Sequence, residues 1–470
     1  MTAARAGNGK SRAPLAIVLH THMPYVKGYG TWPFGEEWLW EVYASSYLPV
    51  TELVRQGAPL TISLTPVLAD QYEAPASGAR CRAFYDEARR ASHEEDQQWL
   101  IPTGLHGEHA ASEHSWLEYE RAIAHLDATG GDLLGALAGT SLWTSSATHA
   151  VLPLLATEAG VRLQVGTGAA SHRRRAGKWD GGFWLPECAW DPELEAPLIE
   201  EGVRMVCVEL TGAQPGEAAG ARAPWRTPDG LRIVPIDRPL IDAVWHHDGY
   251  PAHADYRSSH ARSYQGHALW NNAHEPYDPA KGAARARADA ADWAQRCAQA
   301  LADGIPRVVA FDTELFGHWW HEGPIFLAAA LEALAEAGVE LVTADELVAR
   351  TELATAPAPP ASTWGAGRDL RTWSAPKVST ITWDLRRAEL DLLLTRGPGG
   401  LPEAALRDLL ALQSSDWAFM VTEDRASSYG WARFAEHRRA TTVPAGALPS
   451  STPRLRHLAP DLAHDALAVG

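Results

Sequence analysis

A chain of 470 residues with 46% hydrophobic content is long enough to bury one large core and a smaller one, and its composition is that of an ordinary globular protein. The net charge of -17 argues against a polyanion such as nucleic acid, or an anionic membrane surface, as the main partner, because such binding rests on clustered Lys and Arg. The four cysteines, Cys81, Cys188, Cys207 and Cys297, form no CxxC pair and suggest neither a zinc knuckle nor a disulfide framework, so a reducing, cytoplasmic setting is expected.

Residues 1–13 are small and polar and read as a disordered lead. Residues 15–20 then read as a buried parallel strand. Its apolar run is too short for a signal-peptide core, and no segment approaches the roughly 18 apolar residues of a membrane span. The strand delivers His20 and His22 to its carboxyl end, where i and i+2 side chains share one side and suit either a metal or hydrogen bonds to a polar ligand. A helix carrying Trp38, Trp40 and Tyr47 follows, and residues 60–67 read as a second strand, which makes a βαβ start.

From 71 to 139 the pattern turns to charged helical segments, read as an insertion over the mouth of the sheet. Residues 141–144 resume as a strand that leads to His149, and 162–165 read as a further short strand. The segment 181–190, Gly-Gly-Phe-Trp-Leu-Pro-Glu-Cys-Ala-Trp, ends a strand at or near Glu187, with Asp191 and Pro192 as N-cap and first helical residue. Strands at 204–208 and 231–236 also end in polar groups, Glu209, Asp237 and Arg238. Residues 246–251 read as a mobile loop carrying Tyr250, and 279–301 as a helix. The strand 307–311 ends in Asp312, Glu314, His318, Trp319 and Trp320. A helix from Pro324 to Gly338, a last strand at 339–342 and a capping box from Thr343 to Glu346 complete roughly seven units. That count implies a closed parallel barrel.

The division expected from this pattern is a barrel formed by 14–70 and 140–354, a helical insertion at 71–139, a helical C-terminal domain at 355–442 and a disordered tail at 443–470. The Pro- and Ala-rich run 355–362 reads as the linker, and 385–394 and 402–412 show apolar spacing of helical period.

Two carboxylates at the ends of different strands, Glu187 and Asp312, are what a glycoside-cleaving enzyme needs. The twenty tryptophans also offer flat faces for sugar rings. Asp312 lies among Phe311, Phe316, Trp319 and Trp320, where desolvation raises a carboxyl pKa and keeps a proton for donation. Glu187 is then the nucleophile, held ionised by histidine or arginine neighbours. Glu314 is the rival acid, and a zinc-dependent hydrolase or deacetylase built on His20 and His22 is the reading from another class.

The segments His-Thr-His-Met-Pro-Tyr, Ser-Ala-Thr-His, Trp-Leu-Pro-Glu-Cys-Ala and Phe-Asp-Thr-Glu-Leu-Phe-Gly-His-Trp-Trp, in that order, resemble glycoside hydrolase family 57, and within it the 1,4-α-glucan branching enzymes. The resemblance covers most of the chain. It implies an α/β fold, an incomplete (β/α)7 barrel with a helical insertion and a C-terminal α-helical domain. It also implies Glu187 as nucleophile, Asp312 as general acid/base, and His20, His22 and His149 around the sugar being attacked. Trp32, Trp270, Trp364 and Trp373 match the family's acceptor-groove tryptophans, Asp416 and Trp417 its C-terminal motif, and Tyr250 the tip of its cleft-covering loop. The implied activity transfers an α-1,4-linked chain to a 6-hydroxyl with retention, with α-amylase or 4-α-glucanotransferase as the family alternatives. No cofactor and no metal are expected. The expected partner is an α-glucan such as amylose, amylopectin or a glycogen-like polymer, bound by a monomer or homodimer.

Overall fold

In strand β1 (Leu15–Thr21) all seven side chains are buried, which fits only a strand covered on both faces in the interior of a parallel sheet. The structure, a computed structural model, describes residues 13–31, 33–135, 141–211, 222–394, 401–442 and 455–463. The other strands are β2 (Thr61–Leu64), β3 (Ser141–Ser145), β4 (Gly182–Trp184), β5 (Met205–Val208), β6 (Trp225–Arg226), β7 (Arg232–Pro235), β8 (Arg307–Asp312), β9 (Leu341–Val342) and β10 (Ala354–Thr355). Seven of them run parallel in the order β7-β5-β4-β3-β2-β1-β8. The short β9 pairs with Leu15 and Ala16, ahead of the part of β1 that β2 occupies. β6 pairs antiparallel with β7, and β10 runs parallel to β6.

No ladder joins β7 to β8 among the described residues. Their ends meet through one hydrogen bond, Asp237 N–H to the Val308 carbonyl at 2.7 Å, and through the buried ion pair Arg307–Asp237 at 2.9 Å. The barrel is therefore incomplete at this seam. The register His20↔Asp312 sets a histidine beside a carboxyl at the carboxyl end of the sheet.

Three stretches differ from the sequence expectation. Residues 162–165 are one turn of the helix Glu158–Ala176 and form no strand; Thr157 caps that helix, and buried Gln164 faces Thr148 and Gln413. Val67 belongs to the helix Pro66–Tyr72, because Pro66 suits a first helical turn and has no N–H for a sheet. In the expected disordered tail, residues 455–463 are packed: Leu455, Leu458, Ala459 and Leu462 are buried, and the Ala459 N–H donates to Asp70 at 2.8 Å. The rest of 443–470 lies outside the described residues.

Helices Ser77–Ala83, Arg90–Leu100 and His106–Thr129 occupy the stretch read as an insertion, and Ser379–Leu394, Glu403–Leu412, Asp416–Thr422 and Ser427–Thr442 form the helical C-terminal region. The segment read as a linker is strapped down. Trp225 and Trp190 donate their indole N–H to the carbonyls of Pro357 and Pro359, and Ser362 pairs with Trp190.

The loop after β8 passes so close to the residues Tyr43–Tyr47 that Gly317 has no room for a side chain. Its φ is +119°, and a Cβ there would lie 1.8 Å from the Ser45 carbonyl oxygen. Gly317→Ala is expected to destabilise the protein by about 3 kcal/mol or more, from overpacking and backbone strain together. Denaturant unfolding checks this, and a midpoint equal to wild type would refute it.

Candidate active site

Side chains from four strand ends and from the C-terminal region converge on a cavity of about 780 Å³, whose lining includes His20, His22, His149, Glu187, Asp312 and Asp416. Glu187 follows β4 on a tight turn and has left-handed backbone angles, φ 60° and ψ 21°. His149 also has positive φ, 59°. Non-glycine residues take this conformation at a cost and keep it only where the surroundings enforce it.

The enforcing groups lie far away in sequence. The Glu187 carbonyl accepts the Thr363 hydroxyl at 2.7 Å and the Trp364 N–H at 3.2 Å, and the His149 carbonyl accepts the Ser415 N–H at 3.1 Å. The same segments hold the side chains. The Trp364 indole donates to Glu187 Oε2 at 3.1 Å, and the Ser415 hydroxyl lies 3.3 Å from Glu187 Oε1 and 2.8 Å from His149 Nδ1. His22 Nε2 reaches Asp416 at 3.1 Å, while its Nδ1 faces the Thr65 hydroxyl at 3.1 Å. His20 faces Ser63 at 3.2 Å and His149 at 2.8 Å, and its ring stacks on Trp184 at 5.0 Å.

Burial raises the pKa of Glu187 most, the charge of Asp312 adds to it, and the Trp364 N–H opposes both, leaving it at about 7. Burial and then the charge of Glu314 push Asp312 well above the usual carboxylate range. Glu314 itself is raised to about 7 by burial, against the Tyr47 hydroxyl and the His22 N–H that both donate to its Oε1. Asp416 goes the other way. Burial pushes it up, but His22, its hydrogen bond and His149 outweigh that and hold it at about 2. Burial lowers both His20 and His149, so these two imidazoles are neutral. The net effect on Glu187 is thus opposite to the expectation that histidine or arginine neighbours hold it ionised, because desolvation outweighs them.

Of the sequence candidates, Glu187, Asp312, His20, His22, His149, Trp364, Trp373 and Asp416 line the cavity. Three do not. Trp417 is fully buried, donating to the Ala411 carbonyl at 2.8 Å with Arg433 over its ring, so it is a core residue of the C-terminal helices. Trp270 donates to Glu108 at 3.3 Å and ties its loop to the helix His106–Thr129. Tyr250 hydrogen-bonds Asp292 at 2.6 Å and packs against Phe326, facing a separate surface pocket, because its loop docks on the helix Pro279–Ala300. Trp32 lies outside the described residues. The sequence reading missed Ser415, Thr363 and Tyr47 as site residues. Ser415 directly precedes Asp416 and Trp417 of the C-terminal motif and was legible there, whereas nothing local marks Thr363 or Tyr47.

His22, His149 and Asp416 offer donor atoms that all lie within 4.8 Å of one another, a set that could hold a metal ion. In the structure each already has protein partners: His22 has Thr65 and Asp416, and His149 has His20 and Ser415. The cluster is therefore complete as a hydrogen-bond network.

A parallel barrel whose mouth brings two raised carboxyls together among tryptophan faces has the architecture of a carbohydrate-cleaving enzyme. The sequence profile of glycosyl hydrolase family 57 matches residues 139–356, and that of the 1,4-alpha-glucan branching enzyme C-terminal region matches 401–459. The chain is 30% identical to the 1,4-alpha-glucan branching enzyme TK1436 of Thermococcus kodakarensis over 90% of its own length and 72% of that protein. It is also 30% identical to a probable 1,4-alpha-glucan branching enzyme of Mycobacterium tuberculosis, covering 92% of this chain and 91% of the relative. The crystal structure of the family 57 branching enzyme of Pyrococcus horikoshii superposes with a TM-score of 0.83 at 28% identity, covering 90% of this chain and 88% of that one. The α-amylase AmyC of Thermotoga maritima shares the fold, with a TM-score of 0.76 at 22% identity over 91% of this chain and 92% of that one. This chain belongs to glycosyl hydrolase family 57.

The raised Glu187 carries a stability consequence. Folded, it keeps its proton up to about pH 7 instead of its ordinary 4.5, so between those values the native state binds more protons than the unfolded chain and stability falls as pH rises. Glu187→Gln keeps the shape without the charge. It is expected to raise unfolding stability at pH 8 by on the order of 2 kcal/mol and to change little at pH 4. Denaturant midpoints at the two pH values decide this, and equal effects at both would contradict it.

Proposed function

We propose that the protein is a 1,4-α-glucan branching enzyme that cleaves an α-1,4 bond and transfers the chain to a 6-hydroxyl by retaining double displacement. The observation that carries this reading is that the segment matching the branching-enzyme C-terminal profile contributes Ser415 and Asp416 to the same cavity as Glu187 and Asp312.

In this mechanism Asp312, which holds its proton, gives it to the glycosidic oxygen as that bond breaks. The ionised Glu187 bonds to the anomeric carbon, and the covalent intermediate retains the donor chain. Asp312, now a carboxylate, takes the proton of an incoming 6-hydroxyl while that oxygen displaces Glu187. Asp312 raises Glu187, while burial and Glu314 push Asp312 well above the usual carboxylate range, so Asp312 favours the protonated form that a general acid needs. His20, His22 and His149 line the subsite of the attacked sugar, and Trp364 and Trp373 supply apolar faces that exclude water. The substrate is an amylose-, amylopectin- or glycogen-like polymer, and the role is glycogen biosynthesis. All four cysteines are free and buried, which agrees with a cytoplasmic setting.

The decisive experiment is incubation with amylose, followed by isoamylase debranching and chain-length analysis. New α-1,6 branches are expected, with Glu187→Ala and Asp312→Ala each lowering the rate by about 10³-fold or more. Reducing ends without branches would indicate an α-amylase instead, and linear chains of redistributed length a 4-α-glucanotransferase.

The nucleophile must be ionised, so kcat should rise with pH through about 7, where Glu187 titrates. Trp364→Phe removes the N–H that opposes this shift and should move that limb to higher pH. A limb that stays in place would show that the indole does not tune Glu187.

A further inference from the structure

Glu187, Asp312 and Glu314 share the cavity, and retaining chemistry on the first two leaves the third without a task. Glu314 is buried on the turn Thr313–Leu315, just beyond Asp312. Its surroundings are those of an anion. Its Oε1 accepts the hydroxyl of Tyr47, from the helical stretch Tyr43–Tyr47, and the N–H of His22 at 2.9 Å, from the end of β1. Burial, and then the charge of Glu314, keep the Tyr47 proton on its oxygen, so this hydroxyl is a donor. The turn itself is fixed: the Thr313 hydroxyl lies 2.7 Å from that of Thr21, and the Thr313 carbonyl accepts the Ser46 hydroxyl at 2.7 Å. Asp312 has the opposite setting, for no hydrogen bond or ion pair reaches its carboxyl among the described residues. The other titratable groups facing the pair are Glu187 from the β4 turn, Asp416 from the C-terminal region, His20 from β1 and Tyr72 from the helix Pro66–Tyr72, and none of them forms an ion pair with either carboxyl.

We infer that Glu314 is a positioning residue that carries the negative charge beside Asp312 and so keeps the proton on the acid. The inference rests on the α-glucan reading above. Two carboxyls in one poorly solvated space do not both ionise readily, and the hydrogen-bond donors decide which one does. With Tyr47 and His22 on Glu314 and no donor on Asp312, the anion forms on Glu314 and the proton stays on Asp312, where the glycosidic oxygen needs it. The charge serves the second step as well. Once Glu187 is bonded to the anomeric carbon it is neutral, and Asp312 has given its proton to the departed hydroxyl. No bond to Glu314 forms or breaks, so its charge still faces Asp312 and favours the transfer of a proton from the incoming 6-hydroxyl to that carboxylate.

The test follows kcat/KM, which reports formation of the glycosyl-enzyme, against pH on two substrates. Amylose needs the proton of Asp312, whereas α-maltotriosyl fluoride, with its good leaving group, needs little of it. Wild type should lose activity at high pH on amylose and not on the fluoride, as Asp312 deprotonates. Glu314→Gln keeps an acceptor for both donors and removes the charge, so this alkaline limb is expected to move down by about one pH unit or more, with the fluoride profile unchanged. Tyr47→Phe leaves every carboxyl in place and should move the limb the same way, which provides the measurement if Glu314→Gln does not fold. A limb that coincides with that of wild type, or no limb up to about pH 10 in wild type and variant alike, overturns the inference. A loss of about 10³-fold on amylose at every pH overturns it too, because Glu314 would then be the acid itself. Wild-type protein that turns over neither substrate overturns the α-glucan reading, and this inference with it.

Discussion

The site depends on one clamp. Glu187 and His149 both sit on left-handed backbone, and the carbonyl of each is held by a donor from beyond residue 360: Thr363 and Trp364 on the first, Ser415 on the second. Those donors offset the cost of the left-handed backbone at both residues, beside the turn hydrogen bonds that the barrel loops make themselves. The same residues also hold the side chains, so the C-terminal region acts as part of the catalytic face. A barrel alone would present the strand ends without fixing them.

Burial has a second consequence. Glu187, Asp312 and Glu314 are three acids in one poorly solvated space, and each is pushed towards its protonated form. Asp416 escapes because His22 stands against it. The site therefore contains one settled anion and a carboxyl set that holds protons into the neutral range, which suits chemistry that passes a proton out and takes it back. The cost falls on stability, since a buried carboxyl that must ionise to work is a liability in the folded state.

The seam between β7 and β8 gives the cleft its shape. A closed ladder would draw the loops after these strands together. Asp237 meets Arg307 and the Val308 carbonyl there in place of a ladder, and Trp245 and Trp319, carried beyond β7 and β8, leave indole faces open to the cavity. The strapped segment through Pro357 and Pro359 performs the opposite task on the far side, bringing Trp364 onto Glu187.

Much of this was legible in the sequence. Continuous apolar runs such as 15–19 and 308–311, short and rich in β-branched residues, suit the interior of a parallel sheet, and acids and histidines at their carboxyl ends locate the mouth. Where local pattern was short, it misled. The four residues 162–165 fit a strand or a helical turn equally well, and only the capping of the surrounding nineteen-residue helix decided between them. Trp270, Tyr250 and Trp417 carried the right chemistry but point into packing, because the direction of a side chain depends on contacts made across the fold. The sequence by itself determined which strand ends bear the reactive groups, since that follows from periodicity and polarity along the chain. Only the tertiary structure decided which distant donors hold Glu187 and His149 in strained backbone and which tryptophans stay exposed, since both arise from close approach between segments more than a hundred residues apart or carried on different strands.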